Sequence, residues 1–370
     1  MRRLEILDGG MFTTVQDLGR VSYQRFGVAV SGAMDPFALR AANRLAGNPD
    51  SAAALEITMT GPELRVSADA VLAVTGADMA PQLDGRPIRM WVSVAVSAGA
   101  VLSFAGLRSG MRAYVAIDGG IDVPVVLGSR STSTRAALGG FEGRALRAGD
   151  VLPIGELRTH FAEALCHKPS PPLPPRRGVP RQSIPVYTHD HIVRVVLGPQ
   201  DDAFTDAALQ TFQTAVYTMT AQSDRIGCRF QGPALSHRES ADIVSDGTTL
   251  GSIQVSGDGM PIVLMADRGT TGGYTKIATV ISVDLARLAQ AVPGDRARFQ
   301  VVSLDDAHRL LRTEQEVLDA IGSAGPGRTA GVPDQVFDED SGAPLAASAW
   351  TDLADAIDLT SRKERHDDAR

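Results

Sequence analysis

Hydrophobic and polar positions alternate with a period of two along much of the chain, the pattern of half-buried strands. The run LRVSADAVLAVTGADMAPQLDGRPIRMWVSVAVSAGAVLSF (64–104) keeps this alternation and is broken at Gly76, Asp84-Gly85 and Gly99. Asp-Gly between two such runs predicts a hairpin, because both central residues of a type I′ turn take positive φ. HIVRVVLGP (191–199), AVYTMTAQ (215–222), PIVLMAD (261–267) and RARFQVVSL (296–304) repeat the pattern further on. Short strands in a chain with 37 glycines point to barrels or sandwiches.

The helical period is rarer. Asp35-Pro36 followed by FALRAANRLAG supplies an N-cap, a proline in the first turn and Gly47 as the stop. Residues 201–213 and 282–290 are further candidates, and 305–321 carries Leu310, Leu311, Val317, Leu318 and Ile321 on one stripe.

Segment 166–185 holds seven prolines, which fits an extended, semi-rigid linker and neither a helix nor a central strand. It divides a first barrel domain (1–165) from a second (186–322) that ends in the terminal helix. Residues 331–370 hold ten acidic and four basic side chains without periodicity, so 323–370 is expected to be an acidic, disordered tail with at most a short helix at 346–357. RAGDVLPI (147–154) echoes VPGDRARF (292–299), and GGIDVPVVL (119–127) echoes GDGMPIVL (257–264). Two related barrels would explain the echo, although Gly-Asp turns are common enough to produce it alone.

Composition narrows the partners. A net charge of -7 argues against nucleic acid, which would require a basic face. The N-terminus meets Glu5 before any long apolar run, and no stretch of 18 apolar residues occurs, so neither a secretory signal nor a membrane span is expected. Two cysteines, Cys166 and Cys228, are too few for a disulfide framework, and a reduced, cytoplasmic setting is the expectation.

Several chemistries lack their motifs. In ADRGTTGGYTKIATV (266–280) Tyr274 occupies the place of the last glycine of a phosphate loop, and its ring would block the backbone approach. There is no G-x-S-x-G, paired C-x-x-C or H-E-x-x-H, and His189-Asp190-His191 reads more readily as two exposed histidines than as metal ligands, so no metal is expected. Without Met-Lys-Met, no covalently attached biotin is expected. What remains is a set of segments dense in Gly, Asp, Arg and Thr: 13–20, 30–36, 128–135, 223–233, 245–259 and 266–280. Each alone could be structural, since Asp and Gly make turns and Arg–Asp pairs clamp loops. Lys276 stands out. Of 36 basic residues only Lys168, Lys276 and Lys363 are lysines, and the other two fall in the linker and the tail. Lysine offers a compact point charge with a tunable pKa that arginine does not.

TTVQDLGR, SGAMDPFALRAANRLAGNP, GGIDVPVVLGSRST, SDRIGCR and PIVLMADR with TTGGY, in this order over about residues 4–312, resemble the biotin-dependent carboxyltransferase family. Its members include the C subunit of 5-oxoprolinase, subunit 2 of allophanate hydrolase, the kinase-inhibitor antagonist KipA and half of the urea carboxylase carboxyltransferase domain. The resemblance implies a mainly β fold of two cyclophilin-like barrels. It also implies a smaller homologous partner resembling KipI or the B subunit of 5-oxoprolinase; in 5-oxoprolinase the A subunit makes a third. Gly269 and Thr275 stand where the family commonly has glutamine and proline, Ser22 where glycine is usual, and Ser256 where proline is usual.

The function so implied is opening of the lactam of 5-oxoproline to glutamate, with ATP hydrolysed by the complex. Alternatives are carboxyl transfer to a urea-like amide from carboxybiotin carried by another chain, or non-catalytic binding of a KipI-like inhibitor. Lys276 and Arg268 are the candidates for stabilising charge on a carbonyl or phosphoryl oxygen. Asp267 and Asp224 would orient Arg268, Arg225 or Arg229, or accept a proton. Gly272 and Gly273, flanked by Thr270, Thr271 and Tyr274, would admit the small amide substrate closely. Gln16, Asp17, Arg20, Ser31 and Asp35 would form a second polar cluster, with Arg130 beside it.

Overall fold

A computed structural model describes residues 2–156 and 177–323. Residues 157–176, which include the first part of the linker, and the tail, where a short helix at 346–357 is expected, lie outside the described residues.

The strands of the first half are β1 (Arg3–Asp8), β2 (Phe12–Gln16), β3 (Ala54–Thr58), β4 (Glu63–Val66), β5 (Ala70–Asp78), β6 (Pro81–Leu83), β7 (Arg86–Pro87), β8 (Val94–Val96), β9 (Val101–Phe104), β10 (Ser109–Ile117) and β11 (Val151–Pro153). They form two antiparallel sheets, β11-β1-β4-β9-β6-β7 and β2-β3-β10-β5-β8. Alternate residues of both sheets, among them Leu4, Ile6, Leu64 and Leu102 against Val15, Ile57, Val74 and Val115, fill the core between them. The Asp84-Gly85 hairpin forms as expected: φ is 50° and 74°, and Leu83 faces Arg86 across the turn.

The outer face of the five-stranded sheet carries α1 (Pro36–Ala46). Asp35 caps it by accepting from the Ala38 N–H at 2.9 Å, and Gly47 ends it at φ 80°. Phe37, Ala41, Ala42 and Leu45 pack with Ala54, Ala73, Trp91 and Tyr114.

The second half contains β12 (Asp190–Leu197), β13 (Tyr217–Met219), β14 (Gly227–Gln231), β15 (Asp242–Gly247), β16 (Ser252–Val255), β17 (Pro261–Leu264), β18 (Thr271–Val280) and β19 (Arg296–Val301). The order β12-β19-β13-β14-β17-β16-β18, with β18 pairing back onto β12, closes a seven-stranded barrel, and β15 adds to the outside of β18. Its core is aromatic, with Phe212 and Phe299 stacked at 4.7 Å and Phe230 edge-on to Phe299.

Three helices complete this half. α2 (Asp206–Thr214) starts later than the expected 201–213, because the Thr205 hydroxyl caps it and 201–203 is a single 3-10 turn. α3 (Leu285–Gln290) likewise follows a 3-10 turn at 282–284. α4 (Leu304–Ser323) packs Leu318 and Ile321 against α1, which straps the second half onto the first. Burial of two such side chains stabilises the strap by roughly 3–6 kcal/mol. The described part of the linker packs on the first half, with Gly178 in an antiparallel bridge to Val92. Val179 is buried on the first half, and its N–H donates to the Trp91 carbonyl at 3.0 Å.

Candidate functional site

Loop 17–20, which follows β2, and loop 30–35, which leads into α1, meet the turn 265–268 of the barrel. Gly19 and Gly32 touch backbone to backbone, so a Cβ on either would clash at 2.8–2.9 Å. The Ser31 N–H donates to the Ala266 carbonyl at 3.1 Å, and Met34 runs from this loop into the aromatic core of the barrel. The seam between the halves is therefore built by backbone contact and one apolar plug.

Arg225 lies at its centre. Its Nε donates to Asp267 Oδ2 at 2.8 Å, its Nη2 to the Gly32 carbonyl at 2.7 Å, and its Nη1 to Glu56 of β3. Burial alone would lower its pKa, yet the charges of Glu56 and Asp267 outweigh burial and raise it. Glu56 also accepts from the Tyr114 hydroxyl at 2.7 Å and the Met34 N–H at 2.8 Å.

Two further buried arginines, Arg20 and Arg268, leave part of their hydrogen-bonding capacity unmet. Arg20 is fully buried and feels the charges of Asp17 and Asp267. Its Nη2 donates to the Ser131 carbonyl, but Nε and Nη1 have no acceptor. Arg268 is buried with Nε unpaired, and the Ser31 hydroxyl is buried and unpaired as well. Burial lowers the pKa of both Arg20 and Arg268. Buried donors without acceptors are costly, and each of these groups is suited to an anion or a carbonyl oxygen.

Asp17 has a different task. It accepts from Ser129 Oγ at 2.7 Å, the Arg130 N–H at 2.6 Å and the Gly19 N–H at 2.8 Å, which holds loop 129–131 beside Arg20. Arg130 turns its guanidinium away to Asp122 and the Val123 carbonyl. Gln16 donates to Thr14 and to the Thr132 carbonyl, leaving its own Oε1 free of donors. Asp35 is locked between the α1 cap and Gln290 Nε2 at 2.9 Å, and burial raises its pKa to about 6.

Lys276 sits on β18, 3% exposed, with Nζ 3.1 Å from Asp246 Oδ2. Asp246 faces Gly272 in the β15–β18 register, so the lysine head reaches back towards the Thr271-Gly272 end of its strand. Thr248 ties this end to the arginine turn: its hydroxyl donates to the Gly269 carbonyl at 2.5 Å and its N–H to the Thr270 carbonyl at 3.1 Å. The room at Gly272 is taken by Gln254 Nε2, where a Cβ would fall at 2.3 Å, and Tyr274 is 41% exposed on the outside.

Asp224 and Arg229 stand apart from this cluster. Asp224 caps its own turn through the Ile226 and Gly227 N–H groups, and Arg229 points outward from β14 because the strand alternates against buried Cys228. The two histidines also differ from expectation: His189 is exposed but His191 is buried, and both contact Asp295, at 2.7 and 3.2 Å. Burial raises the Cys228 thiol to about 12, so it is no nucleophile at neutral pH. Glu56, Gln290, Tyr114 and Asp246 escaped the sequence reading. For Glu56 a signal existed, a single carboxylate within the wholly buried strand ALEIT.

At the departures from the family pattern, Ser22 holds φ 83°, the left-handed geometry that suits the usual glycine. Thr275 uses what proline lacks, an N–H that donates to the Ala241 carbonyl at 3.0 Å, and its hydroxyl meets His237 Nε2 at 2.9 Å.

The profile described as "Carboxyltransferase domain, subdomain A and B" matches residues 26–301. The chain belongs to this family. It is 37% identical over 321 residues to the C subunit of Haemophilus influenzae 5-oxoprolinase, covering 86% of this chain and 97% of that protein. Against urea amidolyase of Saccharomyces cerevisiae it is 35% identical over 330 residues, 85% of this chain but 17% of the relative. The solved urea amidolyase of K. lactis superposes with a TM-score of 0.79 at 32% identity, over 86% of this chain and 20% of that one. Among the described residues no helix is long and apolar enough to cross a membrane.

Proposed function

We propose that the chain is the C subunit of a heteromeric, ATP-hydrolysing 5-oxoprolinase. The observation that carries this reading is coextension. The similarity to the Haemophilus influenzae protein runs through 97% of its length, whereas urea amidolyase contains the same unit as 17% of a much longer chain.

The seam supplies chemistry suited to a lactam. The substrate carries a carboxylate and an amide carbonyl, and the unmet donors of Arg20, Arg268 and Ser31 are preorganised for such oxygens. Opening the ring gathers negative charge on the carbonyl oxygen, and buried guanidinium groups stabilise that charge without reorganising water. Arg225, saturated by Glu56 and Asp267, holds the turn that presents Arg268. Lys276 is assigned the substrate carboxylate, next to the Gly272 end of its strand.

ATP serves the assembled complex. Among the described residues, neither candidate place fits a nucleotide cradle, since 269–273 opens a strand instead of a helix and the α1 N-terminus is already filled by Asp35. We assign the nucleotide to partners homologous to the A and B subunits of 5-oxoprolinase, the second resembling KipI. The family profile itself, a carboxyltransferase domain, favours a second reading, carboxyl transfer from carboxybiotin on another chain to a urea-like amide.

The test is co-purification with the partner subunits, followed by an ATPase assay with and without 5-oxoproline. ATP turnover that depends on 5-oxoproline and yields glutamate is expected. A correctly assembled complex that hydrolyses no ATP in response, yet consumes carboxybiotin with urea, would establish the second reading instead. Lys276→Met should assemble and lose at least about tenfold in turnover, roughly 1.4 kcal/mol of barrier.

A further inference from the structure

Lys276 is buried, yet its ion-pair partner stands largely in water, with the Asp246 side chain 57% exposed. A buried ammonium requires a counter-charge, and here a largely hydrated carboxylate supplies it. β15 is the outermost strand of its sheet. Its register against β18 slips between Asp242, opposite Tyr274, and Asp246, opposite Gly272, so residues 243–245 loop outward and Val244 is 93% exposed. The strand is pinned at its two ends, by the Thr275 N–H to the Ala241 carbonyl and by the Thr248 N–H to the Thr270 carbonyl. The Asp246 backbone stays in register with Gly272, while its exposed side chain, which also accepts from the Gly247 N–H at 2.7 Å, can swing with little packing to lose.

The other side of β18 is distorted as well. The pairing with β16 steps from Ile253 opposite Ala278 to Gln254 opposite Lys276, a bulge at Ile277. The Lys276 N–H consequently leaves the ladder and donates to Gln200 Oε1 at 3.2 Å. Bulges re-aim side chains, and this one turns the lysine towards the Gly272 end instead of along the strand.

We propose that Asp246 is a stand-in for a ligand carboxylate: it occupies Lys276 in the free protein and is displaced when an anionic small molecule arrives. The inference rests on the reading that Lys276 serves the substrate, and it makes Asp246 a positioning residue that tunes affinity. A ligand carboxylate brings the same charge to the ammonium and sets Asp246 free into solvent, where it is well hydrated. With its carboxylate end 57% exposed, the pair is partly screened by water and weak enough to exchange.

The scarcity of lysine makes the test site-resolved. The full chain and its Asp246→Asn variant are acetylated with an amine-reactive ester, and modification of Lys276 is followed by peptide mass spectrometry. Protection is then titrated with acetate as a plain carboxylate probe and separately with 5-oxoproline. In the variant, Lys276 should react about tenfold faster, and the half-protecting acetate concentration should fall at least about threefold. An unchanged labelling rate would show that Asp246 does not hold the lysine, and faster labelling with unchanged protection would make it a static tether. Either result overturns the proposal. Sharpened protection by acetate with no response to 5-oxoproline would leave the stand-in in place and remove the 5-oxoprolinase reading.

Discussion

Arg225 on one side, and Arg20 with Arg268 on the other, are all at least nine-tenths buried at the seam, where Asp267 pairs with Arg225 and acts through its charge on Arg20. Arg225 spends its donors on Glu56, Asp267 and the Gly32 carbonyl. Arg20 and Arg268 leave Nε or Nη1 without an acceptor. Identical chemistry thus has two meanings in adjacent places. A saturated buried charge joins parts of the fold, and an unsaturated one is held ready for something that arrives later.

The largest effect should follow from breaking the saturated member. Arg225→Met leaves Glu56 and Asp267 buried and unpaired, and removing one partner of such a pair costs about 3–5 kcal/mol. At roughly 1.5 °C per kcal/mol for a chain of this size, calorimetry should register a loss of about 5–8 °C in Tm. A shift under about 2 °C would mean that the seam is held by Met34 and the backbone contacts instead.

Arg20→Met should do the reverse. It removes a guanidinium whose donors are already unmet, so Tm should stay or rise slightly, while turnover of the assembled complex falls about a hundredfold, near 2.7 kcal/mol of barrier. Loss of stability with activity retained would move Arg20 into the structural class and dissolve the distinction.

Much of the local structure was legible because its causes are local. Asp84-Gly85 and the Asp35-Pro36 to Gly47 helix are written in turn and cap chemistry, and the mainly β reading follows from alternation. Closure of the barrel by β18 on β12 is not, since it depends on a register no short window contains. The candidate site divides in the same way. Segments 13–20, 30–36, 223–233 and 266–280 were marked by their residues, but Arg225 finds Glu56 across 169 positions and Asp35 finds Gln290 across 255. Nothing in SDRIGCR tells saturated Arg225 from outward Arg229, or indicates that Asp224 serves only its own turn. Asp224 and Arg225 lie in the turn before β14 and Arg229 on the strand itself, and that placement decides their partners.

A third state of buried charge sharpens the comparison with the smallest effect. Glu314 on α4 is 8% exposed, and burial, aided by the like charges of Asp35 and Asp284 and opposed by Arg40, raises its pKa to about 7. Asp35 rises to about 6 for the same leading reason. These acids are neither paired like Arg225 nor left charged like Arg20, because they can take up a proton. Each binds its proton more tightly folded than unfolded, so its contribution to stability is complete below the unfolded carboxyl range and is lost as pH rises to the folded value. Stability should therefore decline between about pH 5 and pH 8, by on the order of 2 kcal/mol from Glu314. Glu314→Gln should flatten that slope and raise Tm at pH 8 by a few degrees, while leaving Tm near pH 5 almost unchanged. A variant with the wild-type pH slope would show that α4 holds this glutamate charged, and that the strap, like the Arg20 site, tolerates a buried ion with unmet hydrogen bonds.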